Sequence, residues 1–432
     1  MRFTPRLAPV LLGLLALGLG LGLSGCSYIP WLAGEKDPRP PTELTPVAAE
    51  RGLTTLWSIN TGKGTDGRRL SLVPAHQNGQ LFVADARGLV TAVNASDGRV
   101  LWQRDTGLPL SGGPEVAGTR LVVGTTNGEL LALAVADGAE LWRAQVGSEI
   151  LSIPRVASLP GGDQVILHTL NDSIFGFNAA SGEQLWHYDF QAPILTLRGS
   201  STPLILSDYA LVGVSGGRLA KVELASGLPE WITTVTPPRG RSELERIADL
   251  NATPVVAGQT IFVAAYNGDL AALDLTSGAV LWRRALSSYA GLTLADDTLY
   301  VTDADDLVWA AKPDDGAGLW KQESLRYRIL SAPAVVGNTV LVGDLEGYVH
   351  LLARGDGRLQ GRARLAKGAI QAPPLVIGGR IIVLGADGTL SASTLGTAIP
   401  DSAAPRSATL GPTTPGSTAT PNPGPAGTPT PR

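Results

Sequence analysis

The sequence predicts an all-β protein, an eight-bladed β-propeller, on three recurring observations. A tryptophan returns at 57, 102, 142, 186, 231, 282 and 320, with gaps of 45, 40, 44, 45, 51 and 38 residues. Between tryptophans lies an apolar run, a tight turn and a second apolar run. Ahead of all but one of these hairpins stands a proline followed by a short apolar stretch. Repeats of about 40–45 residues with four short strands each are the signature of propeller blades. Composition agrees, with 53 Gly, 31 Pro and only 17% charged residues, as in turn-rich, short-strand proteins.

Each element can be justified in turn. Six tryptophans come five residues after an Asp or Ser that precedes Gly: Asp97-Gly98, Asp137-Gly138, Ser181-Gly182, Ser226-Gly227, Ser277-Gly278 and Asp315-Gly316. Asp356-Gly357 opens a further unit, but Gly361 occupies its aromatic slot. The hairpin turns fall at Arg87-Gly88, Asn127-Gly128, Asn171-Asp172, Gly216-Gly217, Asn267-Gly268, Asp305-Asp306, Glu346-Gly347 and Asp387-Gly388. These pairs suit two-residue turns, whose residues need positive φ. The leading prolines are Pro74, Pro114, Pro154, Pro203, Pro254, Pro333 and Pro374, and the sixth unit has Gly291-Leu292 instead. The chain opens with a lone tryptophan strand, Leu53 to Ile59, and ends with a hairpin, Arg380 to Ser393, that lacks one. The first strand is therefore expected to complete the last blade and close the ring.

The ends set the compartment. Arg2 and Arg6 precede an apolar or Gly run from Val10 to Leu23, the right length for a signal peptide and short for a transmembrane helix. Leu23-Ser24-Gly25-Cys26 resembles the lipobox of bacterial lipoproteins. That resemblance implies cleavage before Cys26 and acylation of it. Cys26 is the sole cysteine, and a lone thiol in an oxidising compartment needs a use. Ser27 rather than Asp follows, which by resemblance to enterobacterial lipoproteins implies the outer membrane, with the protein facing the periplasm. The expected organisation is a signal peptide at 1–25, a Pro-rich tether at 26–50, the propeller at 51–397, and a disordered Pro/Thr-rich tail at 398–432.

Enzymatic chemistry is sparse. The histidines, His76, His168, His187 and His350, are scattered without metal-ligand spacing, so no metal is expected. No Gly-x-Ser-x-Gly, Walker loop or His-Glu-x-x-His occurs. Asp85, Asp303 and Asp344 lie just past strand ends, where turn capping accounts for them. A net charge of −4 argues against nucleic acid as partner.

The segment Ala272 to Trp282 resembles the tryptophan-docking repeat of pyrroloquinoline-quinone enzymes, a likeness spanning roughly 53–395. It implies tryptophan packing between blades. One tryptophan per blade makes an outer ring rather than a ligand platform, and with one cysteine and lean blades no quinone or other cofactor is expected. Lipobox and propeller together resemble the BamB family, lipoproteins of the outer-membrane β-barrel assembly machinery. Ala192 to Gly199 resembles that family's Leu-x-Leu-Arg-Gly loop. Arg239 to Pro254, in the longest gap, resembles its charged insertion ending in Asp-x-Asp-x-Thr-Pro, with Asn251 replacing the second Asp. The resemblance implies that Leu195, Leu197, Arg198 and Asp249 contact the periplasmic domains of BamA, with unfolded outer-membrane proteins as further partners. The bland alternatives are a tolerated insertion and leucines buried in the next blade. The rival function is a quinone-type dehydrogenase relic or ligand sensor.

Overall fold

The computed structural model describes residues 39–397, and within them the chain forms strands, turns and loops without a helix. Cys26, the signal peptide and the tail lie outside the described residues. The described residues form eight sheets, the blades expected from the repeat, antiparallel except where Ser71–Leu72 adds to blade 2 by a short parallel pairing with Gly112 and Gly113. Blade 1 spans 75–105, blade 2 110–145, blade 3 155–189, blade 4 204–234, blade 5 255–285, blade 6 291–322 and blade 7 334–364. Blade 8 takes three strands from 375–397, and its outer strand is Arg51–Asn60, paired antiparallel with Thr389–Thr397. The opening strand thus closes the ring as its sequence position required.

The middle strands of each blade are almost wholly buried, as in Leu121–Thr125 and Leu130–Leu133. Alternation along a strand sends successive side chains to opposite faces. Here each face meets a different neighbour, so a blade's apolar residues divide between two cores. Phe82 and Val90 of blade 1 pack with Leu121 and Val123 of blade 2, while Leu81 and Val83 pack with Ile382 and Leu390 of blade 8. The described residues therefore form eight interblade cores, and each blade is stable only through its neighbours.

The tryptophans join the blades from outside. Each lies on the outer strand of one blade and covers a glycine in the next. A Cβ on Gly182 would lie 2.6 Å from Trp142, and one on Gly227 2.3 Å from Trp186. These glycines also hold positive φ, +73° and +75°, so no other residue fits both demands. At every joint but that of Trp231, whose indole nitrogen finds no partner, the indole N–H donates to the next blade, as from Trp142 to the Ala179 carbonyl at 2.9 Å and from Trp320 to that of Arg354 at 2.7 Å. The missing tryptophan at Gly361 now has a cause. Blade 8 lacks the turn that would supply a docking glycine, because its outer strand arrives from the other end of the chain. A Cβ on Gly361 would stand 2.2 Å from the carbonyl oxygen of Arg51. The closing strand occupies the slot.

Three expectations are refined. The hairpin turns are not two-residue turns with two positive φ angles. Most carry a single positive-φ residue, such as Gly88, Gly128, Asp172 and Gly347, and an acidic or hydroxyl side chain closes a longer turn. Asp85, Asp303 and Asp344 each accept two turn amides at 2.9 Å, from Arg87 and Leu89, Asp305 and Leu307, and Glu346 and Tyr348. Ring closure also leaves each blade an outer edge. A bulge there, one residue before the tryptophan, as between Glu140 and Trp142 or Val280 and Trp282, kinks that edge and hinders pairing by another chain. Finally, the described end of the tether is fastened to blades 6 and 7. Thr42 donates to the Arg326 carbonyl at 3.0 Å and accepts from Arg328 at 2.9 Å, while Glu50 pairs with Arg358 at 2.6 Å.

Candidate functional site

Loops that link one blade to the next share a face of the ring with the turns inside the hairpins. The longest of these loops is 235–254 between blades 4 and 5, and 190–203 between blades 3 and 4 is matched in length only by 61–74 between blades 8 and 1. Long loops on a rigid scaffold are where function concentrates.

Asp249 holds the 190–203 and 235–254 loops in place. Its Oδ2 accepts the Leu197 N–H at 2.6 Å and its Oδ1 accepts the Gly216 N–H of the blade 4 hairpin at 3.0 Å. Its own carbonyl accepts Tyr266 N–H of blade 5 at 2.9 Å. The residue is 1% exposed. Burial pushes its carboxyl above the usual carboxylate range, the two amide hydrogen bonds pull it down, and the neighbouring Asp172 charge raises it further. Both oxygens are engaged inside the chain, by Leu197 and Gly216. Asp249 positions the loop that carries Leu197.

The other expected residues are better placed for contact. Leu195 is 45% exposed, Leu197 is half-buried, and Arg198 is exposed. The leucines are not strand residues of blade 4, which begins at Leu204. The Arg198 guanidinium pairs with Glu149 and reaches the Arg69 carbonyl at 3.5 Å, so it spans the mouth of the central channel. Sequence reasoning passed over two neighbours. Ile194 is 87% exposed and Leu244 72%. The signal was legible: an isoleucine after proline in a blade link, and one leucine in a run of charges.

A cavity of about 620 Å³ opens beside this loop at the channel mouth. Its wall repeats with the blades. Ser71, Leu151, Ser200, Asn251, Leu330 and Gln371 line it, each three residues before its blade's leading proline. Asn251, the departure from the expected acidic pair, therefore faces the channel. Among the described residues no group of three or more His, Cys, Asp or Glu side chains is placed to hold a metal ion.

A closed tryptophan-docked ring whose strand-end carboxylates cap turns, and whose distinctive surface is a pair of apolar-tipped loops, is a binding propeller. A family model described as outer membrane protein assembly factor BamB matches residues 47–109, 86–322 and 308–399. The chain belongs to that family. The protein of that name from Pseudomonas aeruginosa is 40% identical over 380 residues, covering 88% of this chain and 97% of the relative. The one from Yersinia pestis is 32% identical over 396 residues, covering 89% and 98%. The crystal structure of BamB from Moraxella catarrhalis superposes with a TM-score of 0.72 at 30% identity, over 79% of this chain and all (100%) of that one. A quinohemoprotein alcohol dehydrogenase from Comamonas testosteroni matches at TM-score 0.63 but 15% identity, over 80% of this chain and 76% of that one. That likeness is one of fold alone.

Proposed function

We propose that the protein is a non-catalytic scaffold of the outer-membrane β-barrel assembly complex, docking the periplasmic domains of a BamA-like assembly protein. Family membership supports the assembly role at the periplasmic side of the outer membrane, and the dehydrogenase rival loses its ground with it. The docking reading rests on one observation, the exposed Ile194, Leu195 and Leu244 at the tips of two loops that Asp249 clasps together. Exposed apolar groups on fixed loops suit a partner hot spot. Each leucine is worth about 1.5–3 kcal/mol if fully covered. Arg198, already exposed, is free to turn from Glu149 to a partner carboxylate.

Anchoring belongs to the same proposal. A lipid on Cys26 holds the chain to the inner leaflet after removal of residues 1–25. Unfolded outer-membrane proteins are the further clients. Purification of the acylated protein from outer membranes, with the co-purifying proteins identified, tests the reading. The assembly protein should be recovered with the wild type and lost with Leu195→Asp. Cys26→Ala should remain in the soluble fraction at high salt when the partner is absent. Recovery of the partner by Leu195→Asp, or membrane retention of Cys26→Ala, would overturn the corresponding half.

A further inference from the structure

The cavity at the channel mouth has an electrostatic character that the docking loops do not explain. Among the described residues lining it, the charged side chains are both arginines, Arg69 and Arg198, and no carboxylate lines it. Arg198 is balanced by Glu149. Arg69 has no carboxylate partner among the described residues. Its guanidinium lies 4.6 Å from the centroid of the Tyr289 ring, a stacking that holds the cation in place without neutralising it. Tyr289 is itself fixed, its hydroxyl donating to Asp306 Oδ1 at 3.4 Å.

Two polar atoms behind the same wall, Ser200 Oγ and Gln371 Oε1, are closed off and have no hydrogen-bond partner. A buried hydroxyl left without a partner is costly in a finished fold. The rim opposite Leu197 is strained as well. Ile329, exposed and β-branched, holds φ at +52°, a conformation rare for such a side chain. Asp306 holds it there, accepting the Ile329 and Leu330 amides at 2.8 Å each. Strain retained at a cavity rim, with a carboxylate built in to hold it, marks a shaped site.

We propose that this cavity is a carboxylate pocket, and that its occupant is an acidic side chain of the docked assembly protein. The proposal rests on the docking reading, since Leu197 and Arg198 form one wall of the pocket and the loop tips beside them would cover its mouth. The occupant's carboxylate meets the Arg69 guanidinium, which is exposed at the cavity wall. Covering the mouth excludes water and strengthens the charge pair. The pocket would thereby fix the partner's rotation about the ring axis, which an apolar patch alone leaves loose.

The test is a calorimetric titration of the full-length lipidated protein in detergent micelles with purified periplasmic domains of the BamA-like protein of the same bacterium. Arg69→Gln should weaken binding about 30-fold or more and lessen its salt dependence. Ala290→Glu keeps the Arg69–Tyr289 stack and offers Arg69 a carboxylate from its own chain, so it should weaken binding as well. It carries the test if Arg69→Gln fails to fold, as a melting curve would report. Neutralising the partner's acidic residues one at a time should find one whose loss matches that of Arg69→Gln. The pair combined should lose no more than either alone. If Arg69→Gln and Ala290→Glu both bind within about twofold of wild type while Leu195→Asp does not bind, the pocket is overturned and the docking reading stands. If Leu195→Asp also binds normally, both fall.

Discussion

Replacing Asp249 by Ala removes the acceptor for two backbone amides at once, those of Leu197 and Gly216. Each hydrogen bond to a charged acceptor contributes about 1.5–3 kcal/mol, and an amide left buried without a partner costs about 1–3 kcal/mol. Against this, burial already pushes the Asp249 carboxyl above the usual carboxylate range, so removing it returns part of the cost of holding a charge there. The net local cost is about 2 kcal/mol, confined to the two loops because the interblade cores are untouched. That energy corresponds to about 30-fold faster amide exchange at Leu197 and Gly216. Blades 1, 7 and 8 should keep wild-type protection. Partner affinity should fall because Leu195 and Arg198 lose their fixed positions. Hydrogen exchange followed residue by residue, beside a binding titration, reads both effects. Wild-type exchange at both amides would refute the clasp. Faster exchange with unchanged affinity would show that loop order is irrelevant to docking.

Other outcomes follow from the same geometry. Trp142→Ala should cost about 3–5 kcal/mol by equilibrium unfolding, as deletion of a buried large aromatic does, with lost protection spreading to blades 2 and 3; a change below about 1 kcal/mol would place Trp142 outside the joint. Gly361→Ala should destabilise by about 1–3 kcal/mol through overpacking, because its Cβ would press on the Arg51 carbonyl, and exchange should rise along the closing strand Arg51–Asn60 first. Burial alone would raise the Asp344 carboxyl, but the hydrogen bond and charge of His350, the Tyr348 amide and Arg328 outweigh it and hold it below its ordinary range. A lowered carboxylate stabilises the fold at neutral pH and ceases to do so as pH falls through its folded value. The melting temperature of Asp344→Asn should therefore lie below wild type at neutral pH, with the gap narrowing as pH falls below the carboxylate range; a gap constant with pH would contradict this.

The ring was legible in the sequence because its structural elements repeat. Asp-Gly and Ser-Gly pairs five residues before tryptophan mark a joint that needs both residues in fixed register, so the spacing survives in plain view. The orphan strand at Leu53 to Ile59 and the final hairpin revealed the closure. What Gly361 faces was not legible, since Arg51 lies far from it in sequence and meets it only when the ring closes. The turns were misjudged for a related reason: a Gly at positive φ is common to both turn types, and the capping by Asp85 or Asp344 depends on side-chain direction. At the candidate site, the loops could be found from their length and charge. The burial of Asp249 could not, because three separate segments enclose it. Arg69 and Tyr289 gave no signal, being single residues on loops of different blades.

The central claim is that the apolar loop tips between blades 3 and 5 are the surface that holds the assembly protein. Titrating the lipidated protein with the purified periplasmic domains of its BamA-like partner tests this most directly, with Leu195→Asp compared against Leu281→Asp, an exposed leucine on the outer edge of blade 5. Leu195→Asp should weaken binding by a factor of about 10 or more, since the apolar contact it removes is worth about 1.5–3 kcal/mol, with an unchanged melting curve, and Leu281→Asp should bind as wild type. Equal affinities for Leu195→Asp and wild type, or a loss with Leu281→Asp instead, would contradict the claim and move the partner to another face.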